Sequence, residues 1–317
     1  MYLIIGRALD PCCIQVDGAL RAAGHNTRLL EGLFCDRYRF RWKFAGERSQ
    51  VSNSRISEVG DHGVASEKID GVFVRETVPS LEQNWSERDQ QYVVAEMQAA
   101  LLGWLWSLPG TVINRPPAWL FYRPRPSFLF WVPLLQRSGL RTPQTVISND
   151  KEQLKTWRSK HEDGSIFSPL TGNTSFRLRT EGEWKGVFGV GSHTPVLLQE
   201  AHGETQLACV VGNRVLWDGA PSTSASLLEP KLRRFAQSAG VDFVQVAVSD
   251  RVGTERTDTT GCGVVSVEPQ VQFARFSPSA QQLIAEAVAR LMTEPPLDNS
   301  VQPTEERGAK LNEVGLR

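Results

Sequence analysis

The chain begins with YLII at residues 2–5, followed by DPCCIQVDGALRAAG at residues 10–24 and TRLLEG at residues 27–32. The first and third stretches are short apolar runs of the kind that form buried strands. The middle stretch places Ile14, Val16, Leu20 and Ala23 near one face of a helix and ends at Gly24. A strand, a helix and a strand in this order predict an α/β fold with a partly parallel sheet.

The same pattern continues toward residue 118. The alternating aromatic and charged residues after Tyr38 predict a hairpin, and DGVFVRE at residues 70–76 predicts another strand. Ser86 and Asp89 have capping-box spacing and predict the start of a long helix, which ends before Pro109. We therefore expect residues 1–118 to form an N-terminal α/β domain.

The rest of the chain mixes strands and helices. Helices are predicted after Ser127, after Asp150, from Pro230 to Ala239 and after Ser277, with strands between them. This pattern predicts α+β architecture over residues 119–293. Residues 294–317 contain no aromatic residue and little apolar content, and are predicted to be a disordered tail.

Composition excludes several classes of protein. The 317 residues carry 35 basic and 35 acidic side chains, whereas a nucleic-acid binder usually shows a basic excess. No apolar run is long enough to cross a membrane, and the N-terminus lacks the pattern of a signal peptide. The five cysteines and five histidines have no zinc-ligand spacing. We expect a cytoplasmic protein that binds neither nucleic acid nor membrane.

Five further segments resemble the ATP-grasp superfamily, and within it the carboxylate ligases that modify peptides and proteins, such as glutamate-adding ligases and microviridin-type macrocyclases. The segments are INRP at 113–116, GLRTPQTVISND at 139–150, FSPLTGNTS at 167–175, LQEAHGETQLACVVG at 198–212 and VVSVEPQVQF at 264–273. The resemblance implies an N-terminal pre-ATP-grasp domain, followed by two α+β subdomains that face each other across a nucleotide-binding cleft.

The resemblance also implies ATP and magnesium as cofactors. It places Gln199 and Glu200 at the hinge that holds the adenine amine and the ribose, and Glu268 in the metal motif. The turn over the phosphates matches residues in and before TGNTS, namely Ser168, Thr171, Gly172, Asn173 and Thr174. From the residues alone, the Gln-Glu pair could equally be a solvated strand end, and TGNTS could be an ordinary hairpin turn.

The matched positions lack the charges that phosphoryl chemistry needs. ATP carries about four negative charges, its magnesium ions need oxygen ligands, and positioned charges supply most of the catalysis. Family lysines match Phe128 and Ser168, and the family arginine matches Gln206 or Leu207. Neutral residues, Ala247 and Ser266, also match the two carboxylates that bind metal in the family. Asp250 lies three residues after Ala247. We therefore assign no catalytic residue and expect ATP and magnesium to bind weakly or not at all.

Three hypotheses follow for function. The first is a degenerate, non-catalytic homologue that binds a peptide or protein partner, such as an active sister ligase. The alternative is an active ATP- and magnesium-dependent carboxylate–amine ligase whose cations come from unmatched residues, above all Arg177, Arg179 or Lys185, or from a partner chain. A third is a binder of a neutral or nucleoside-like ligand in the remaining cleft. In each case the matched residues are expected to converge on one cleft.

Overall fold

The computed structural model describes residues 1–31, 38–42, 54–58, 64–65, 68–75, 86–115, 127–161, 164–170, 175–250, 252 and 261–294. The domain boundary predicted near residue 118 and the tail predicted after Glu294 lie outside these residues. No helix in the described ranges is long and apolar enough to cross a membrane.

The N-terminal part contains a four-stranded parallel sheet, as the opening strand–helix–strand pattern predicts. Its elements are β1 (Tyr2–Ile5), α1 (Pro11–Ala22), β2 (Thr27–Leu30), β3 (Tyr38–Trp42), β4 (Ser54–Glu58), β5 (Val64–Ala65), β6 (Gly71–Val74), α2 (Glu87–Ser107) and β7 (Thr111–Ile113). The parallel sheet has the strand order β2-β1-β6-β7, while β3, β4 and β5 form a separate antiparallel sheet.

The C-terminal part contains two antiparallel sheets of four strands each. Its elements are α3 (Phe128–Arg137), β8 (Thr145–Ser148), α4 (Lys151–Lys160), β9 (Ser165–Ser168), β10 (Phe176–Leu178), α5 (Glu181–Gly191), β11 (Val196–Glu200), β12 (Thr205–Val211), β13 (Arg214–Trp217), α6 (Thr223–Ser226), α7 (Glu229–Ala239), β14 (Phe243–Ser249), β15 (Gly263–Glu268) and α8 (Pro278–Thr293). The small sheet has the order β10-β9-β11-β8, and the large sheet has the order β13-β12-β14-β15.

Helix α1 begins as the sequence predicts and buries Val16 and Leu20 of the predicted face, whereas Ile14 and Ala23 are exposed. The Asp10 carboxylate accepts a hydrogen bond from the Cys12 amide and so caps the helix, and Pro11 occupies its first turn. Cys12 and Cys13 are fully buried, whereas Ile14 is 52% exposed. The prediction that Ile14 faces inward was wrong, because the two small thiol side chains fill the contact instead.

Helix α5 is an element that sequence reasoning missed. Its stretch GVFGVG is rich in glycine, which disfavours helix. Thr180 and Glu183 nevertheless form a reciprocal capping box at its start, a signal that the sequence contains. Gly191 allows the helix to lie against α4, because a β-carbon there would be 2.7 Å from a methyl group of Leu154.

The largest hydrophobic cluster joins the two parts of the chain. Helix α8 packs between the parallel sheet and the large sheet, so that Phe73, Val211, Phe243, Ile284 and Val288 belong to one core. Phe73 and Phe243 meet edge to face across this boundary, with their ring centroids 5.5 Å apart. The parallel sheet and the large sheet are therefore held in a fixed relation.

Asn114 of the INRP segment ties the same two parts together by hydrogen bonds. Its φ of 51° lies in the left-handed region, which asparagine tolerates better than most residues. Its side-chain oxygen accepts hydrogen bonds from the amides of Asp242 (2.8 Å) and Phe243 (2.7 Å). Its amide nitrogen donates to the Phe243 and Pro269 carbonyls. Asn114 thus connects the end of β7 to the start of β14.

We expect Asn114→Ala to lower the free energy of unfolding by roughly 2–4 kcal/mol, because part-buried backbone groups lose their partners and alanine resists positive φ. Asn114→Gly is the matched control, since glycine adopts that φ freely and isolates the loss of hydrogen bonds. Urea denaturation measures both variants. A change below about 0.5 kcal/mol in Asn114→Ala would show that the side chain is not a structural tie.

Candidate functional site

The small sheet has one face covered by helices and one that they leave free. Helices α4 and α5 pack on one face through the cluster that includes Leu154, Trp184 and Leu198. Because side chains alternate along a strand, the neighbouring residues point to the opposite face. We call this opposite face the inner face; it carries Thr145, Ile147, Ile166, Ser168, Arg177, Leu197 and Gln199.

Strand register fixes the order of the inner-face residues. Thr145, Gln199, Ile166 and Arg177 lie opposite one another across the four strands and form one row. Ile147, Leu197 and Ser168 form the next row, and Ile147 is 44% exposed. The inner face therefore carries three aliphatic side chains and two hydroxyl groups, with one amide near its middle and one guanidinium at its edge.

The Gln199 amide is the unusual group on this face. The side chain is buried, at 6% exposure, and its Nε2 has no hydrogen-bond partner within the described part of the chain. A buried donor without an acceptor costs about 1–3 kcal/mol. A ligand that offers an acceptor at this position would recover that cost.

Glu200 points the other way. It is 4% exposed and its carboxylate accepts a hydrogen bond from the Gln144 amide at 3.1 Å, on the side that carries α4 and α5. On that same side Ser165 accepts a hydrogen bond from the Trp157 indole. Of the predicted hinge pair, only the Gln199 side chain lies on the inner face, so that Glu200 would reach a ligand there only through its backbone.

The phosphate turn can be followed only at its base. The hydroxyls of Ser168 and Ser175 lie 2.9 Å apart across the β9–β10 hairpin. The other predicted residues of this turn, Thr171, Gly172, Asn173 and Thr174, lie outside the described residues. Their role in binding therefore stays a prediction, as does that of Ser168.

Three of the matched positions on the large sheet stand side by side. Leu207 on β12 lies opposite Ala247 on β14, which lies opposite Ser266 on β15. Opposite residues of neighbouring strands point to the same face. We call these three residues the neutral row, because none of them carries a charge. A register shift between Ala247 and Val248 places Ser266 opposite Ala247.

Glu268 lies one row further along the same face, opposite Gln245. Gln245 is fully buried and its Oε1 accepts a hydrogen bond from the Gln272 amide at 2.8 Å, whereas its Nε2 has no partner among the described residues. No group of three or more potential metal-ligating His, Cys, Asp or Glu side chains occurs within the described ranges. Glu268 therefore remains a single candidate ligand for magnesium.

Two other matched residues belong to different surroundings. Phe128 at the start of α3 packs against the cluster on the opposite face of the large sheet, together with residues such as Trp131 and Phe235. Gln206 points to that face too, where its Oε1 accepts a hydrogen bond from the Ser222 amide at 3.1 Å. The prediction that all the matched residues meet in one cleft therefore fails for Phe128. Leu207 rather than Gln206 belongs to the row, and Leu207 and Ala247 are buried in the largest hydrophobic cluster.

Asp250 does not replace the missing carboxylate at Ala247. Its carboxylate accepts a hydrogen bond from the Ser222 hydroxyl at 2.9 Å. Burial, together with a hydrogen bond to Asp250, raises the pKa of Cys262 to about 12. Asp250 therefore already has two partners, both away from the neutral row.

The candidate cations divide between the two faces of the small sheet. Arg177 lies on the inner face, at the edge strand β10. Arg179 lines a cavity of about 760 Å³ between α4 and α5, which also includes Lys155, Arg158 and Trp184. Lys185 lies on α5, near Glu181. The pKa of Glu181 is lowered, mainly because its carboxylate accepts a hydrogen bond from Arg158. Of the three, only Arg177 thus lies on the inner face, and its Nε lies near Gly164, at the end of β9 away from the phosphate turn.

The residues present fit the base of a magnesium–nucleotide better than they fit its phosphates and metal ion. The orphaned amide of Gln199 fits the hydrogen-bond acceptors of a heterocyclic base. The neutral row offers no charge to a triphosphate, and only the Ser266 hydroxyl could serve a metal as a neutral, weak ligand. No reaction step can be derived through magnesium–ATP from these side chains.

Solved structures with this architecture are ATP-grasp ligases. The macrocyclase MdnC of Microcystis aeruginosa MRC, bound with precursor peptide MdnA, superposes with a TM-score of 0.72 at 16% identity, over 92% of this chain and 99% of that one. A RiPP-associated ATP-grasp ligase of Chryseobacterium gregarium, in complex with ADP and a leader and core peptide, superposes with a TM-score of 0.69 at 14% identity. The match covers 92% of this chain and 96% of that one. The ATP-grasp ligase PsnB, complexed with minimal precursor, magnesium and ADP, superposes with a TM-score of 0.67 at 16% identity. The match covers 92% of this chain and 97% of that one.

These likenesses establish the ATP-grasp fold. No protein-family model matches the chain, and no curated protein matches its sequence. The fold predicted from the motif segments is therefore confirmed by three-dimensional similarity, over nearly the full length of the similar chains.

Substitutions of Gln199 and of Glu200 should have different effects on the free energy of unfolding. Gln199→Leu removes a buried donor without a partner, so we expect stability to stay within about 0.5 kcal/mol of the wild type or to rise. Glu200→Ala removes the buried carboxylate that accepts the hydrogen bond of the Gln144 amide, and should cost about 1–3 kcal/mol. Thermal and urea denaturation measure both variants. A large loss of stability in Gln199→Leu would mean that its amide has a protein partner.

Proposed function

We propose that this chain is a non-catalytic protein with the ATP-grasp fold, which acts in the cytoplasm by binding a peptide or protein partner. The observation that carries the proposal is the neutral row: Leu207, Ala247 and Ser266 stand together on one face of the large sheet. A carboxylate ligase that uses ATP needs an arginine and two metal-binding carboxylates at the matched positions.

The missing charges matter because they act on the transition state. Formation of an acyl phosphate requires stabilisation of the charge that develops on the transferred phosphoryl group. Each charge-assisted hydrogen bond contributes about 1.5–3 kcal/mol, so the loss of two lowers affinity by roughly a hundredfold or more. Magnesium binding is weakened as well, since Glu268 alone can hold at most one hydrated ion.

The fold supports a peptide or protein as the partner. The MdnC and Chryseobacterium gregarium structures contain bound precursor, leader or core peptides. A degenerate copy that keeps this architecture could hold such a peptide, or could associate with an active sister ligase that modifies it. The four cysteines in the described part of the chain are buried and form no disulfide there, which supports the proposed cytoplasmic location.

One observation favours the alternative of an active ATP- and magnesium-dependent carboxylate–amine ligase. Arg177 lies on the inner face, in the same row as Gln199, and supplies one cation. The two functions differ in chemistry: a ligase releases ADP and phosphate and joins a carboxylate to an amine. A binding protein leaves both ATP and peptide unchanged.

The deciding experiment uses the purified full chain, magnesium–ATP and a panel of precursor peptides that includes MdnA. We expect calorimetry to detect binding of a peptide, while coupled ADP-release measurements and mass spectrometry find no turnover and no change in peptide mass. ADP release that depends on the peptide, with loss of water from it, would establish the ligase and contradict the proposal.

A gain-of-charge variant tests the neutral row directly. Ser266→Glu restores one carboxylate on a half-buried position, so we expect magnesium to increase the affinity for ATP by about tenfold in this variant and not in the wild type. Ser266→Gln is the matched control, because it adds the same volume without the charge. Equal magnesium dependence in the wild type and in Ser266→Glu would show that the wild type already holds the metal.

A further inference from the structure

Helices α1 and α8 pack against each other and leave a groove between them on the surface of the molecule. The Gln15 side chain of α1 donates a hydrogen bond to Gln281 of α8 at 3.2 Å, near the first turns of both helices. The groove has a volume of about 690 Å³ and runs along the whole of α8, from Pro278 to Thr293. Its floor consists of short side chains, which include Ala19, Ala285 and Ala289.

One acidic and one basic side chain of α8 line this groove one helical turn apart. Glu286 accepts a hydrogen bond from the Gln282 amide at 3.0 Å, a neutral donor that leaves the negative charge uncompensated. The side chain of Arg290 forms no ion pair within the described part of the chain. The groove therefore offers a negative and a positive charge about 6 Å apart along the helix axis.

We infer that this face binds a second copy of the chain, with the two α8 helices antiparallel across a two-fold axis. In a two-fold interface the same surface occurs on both sides, so that the two members of a complementary pair each meet the other. An axis that crosses α8 midway between Glu286 and Arg290 places Glu286 opposite the partner's Arg290. The same axis places Arg290 opposite the partner's Glu286, so one interface contains two ion pairs.

Exposed aliphatic side chains border the charged pair. Leu283 precedes Glu286 by one turn and is 51% exposed, and Ile14 on α1 is 52% exposed. Gly18 follows Ile14 by one turn and lines the groove, and a β-carbon there would contact nothing within 4 Å. The groove thus has room for the partner's Leu283. Burial of these aliphatic side chains against a second copy removes them from water and favours association.

The size of the face predicts a weak dimer. Helix α8 has 16 residues and is about 24 Å long, and two helices of about 10 Å width present roughly 500 Å² per chain. Specific interfaces bury about 800 Å² per partner, and transient ones bury less. We therefore expect a dissociation constant on the order of micromolar or weaker, so that monomer and dimer coexist.

Sedimentation velocity of the full-length protein over about a hundredfold range of concentration measures the dimer. Gly18→Arg places a long, charged side chain in the groove without a clash in the monomer, and should weaken the dimer at least about tenfold. Gly186→Arg is the matched control. It makes the same substitution on α5, where a β-carbon also contacts nothing within 4 Å, and should leave the dimer unchanged.

An exchange of charges tests the pairing itself. Glu286→Lys and Arg290→Glu each bring like charges together across the axis, and each should weaken the dimer at least about tenfold at low salt. The double variant Glu286→Lys/Arg290→Glu exchanges both charges and should restore the dimer. A mixture of the two single variants should form a heterodimer, because the new lysine then faces the new glutamate and the native pair also remains. Thermal denaturation shows that each variant is folded.

Each outcome decides the inference without ATP, so that its failure is distinct from a failure of the proposed function. A wild type that stays monomeric at every concentration overturns the inference. A dimer that Gly18→Arg and both single charge variants leave unchanged also overturns it, because the second copy then binds another face. If the wild type is monomeric and Gly18→Arg weakens a precursor peptide instead, the groove holds a peptide and the inference is wrong. A dimer lost in the single charge variants and recovered in the double variant and in the mixture supports it.

Discussion

The packing of α8 between the parallel sheet and the large sheet is the contact on which the rest of the structure depends. It merges the N-terminal strands with β12 and β14 in one hydrophobic core. Asn114 adds hydrogen bonds across the same boundary, and Arg75 donates to the Val271 carbonyl at 3.0 Å while it pairs with Asp10. Because this boundary is fixed, the face of the large sheet that carries the neutral row has a fixed relation to the N-terminal part.

The chemistry of the site depends on the sheet face on which each side chain lies, and strand alternation and register determine that face. On β11, alternation sends Gln199 to the inner face and Glu200 to the side of α4 and α5. On the large sheet, the register shift in β15 places Ser266 beside Ala247, where their small, neutral side chains complete a row with Leu207. The molecule therefore has the ATP-grasp fold, and its neutral row carries no charged side chain.

Much of the fold was predictable because its signals are local. The apolar run of β1, the Asp10 cap of α1 and the left-handed Gly240 after α7 all follow from short-range rules. Helix α5 was missed because its glycines outweighed the capping box at Thr180. The separation of Gln199 from Glu200, and the packing of Phe128 away from the neutral row, depend on register and tertiary contacts, which one sequence does not encode locally.

The central proposal is that the matched residues do not support the binding of magnesium and a triphosphate. The most direct test is a calorimetric titration of the wild-type chain with ATP, repeated with and without magnesium. The account predicts a dissociation constant no tighter than roughly 1 mM for the magnesium-dependent component, because two or more charged partners are missing. A magnesium-dependent dissociation constant in the low micromolar range, with ADP released when a carboxylate and an amine are supplied, would contradict it.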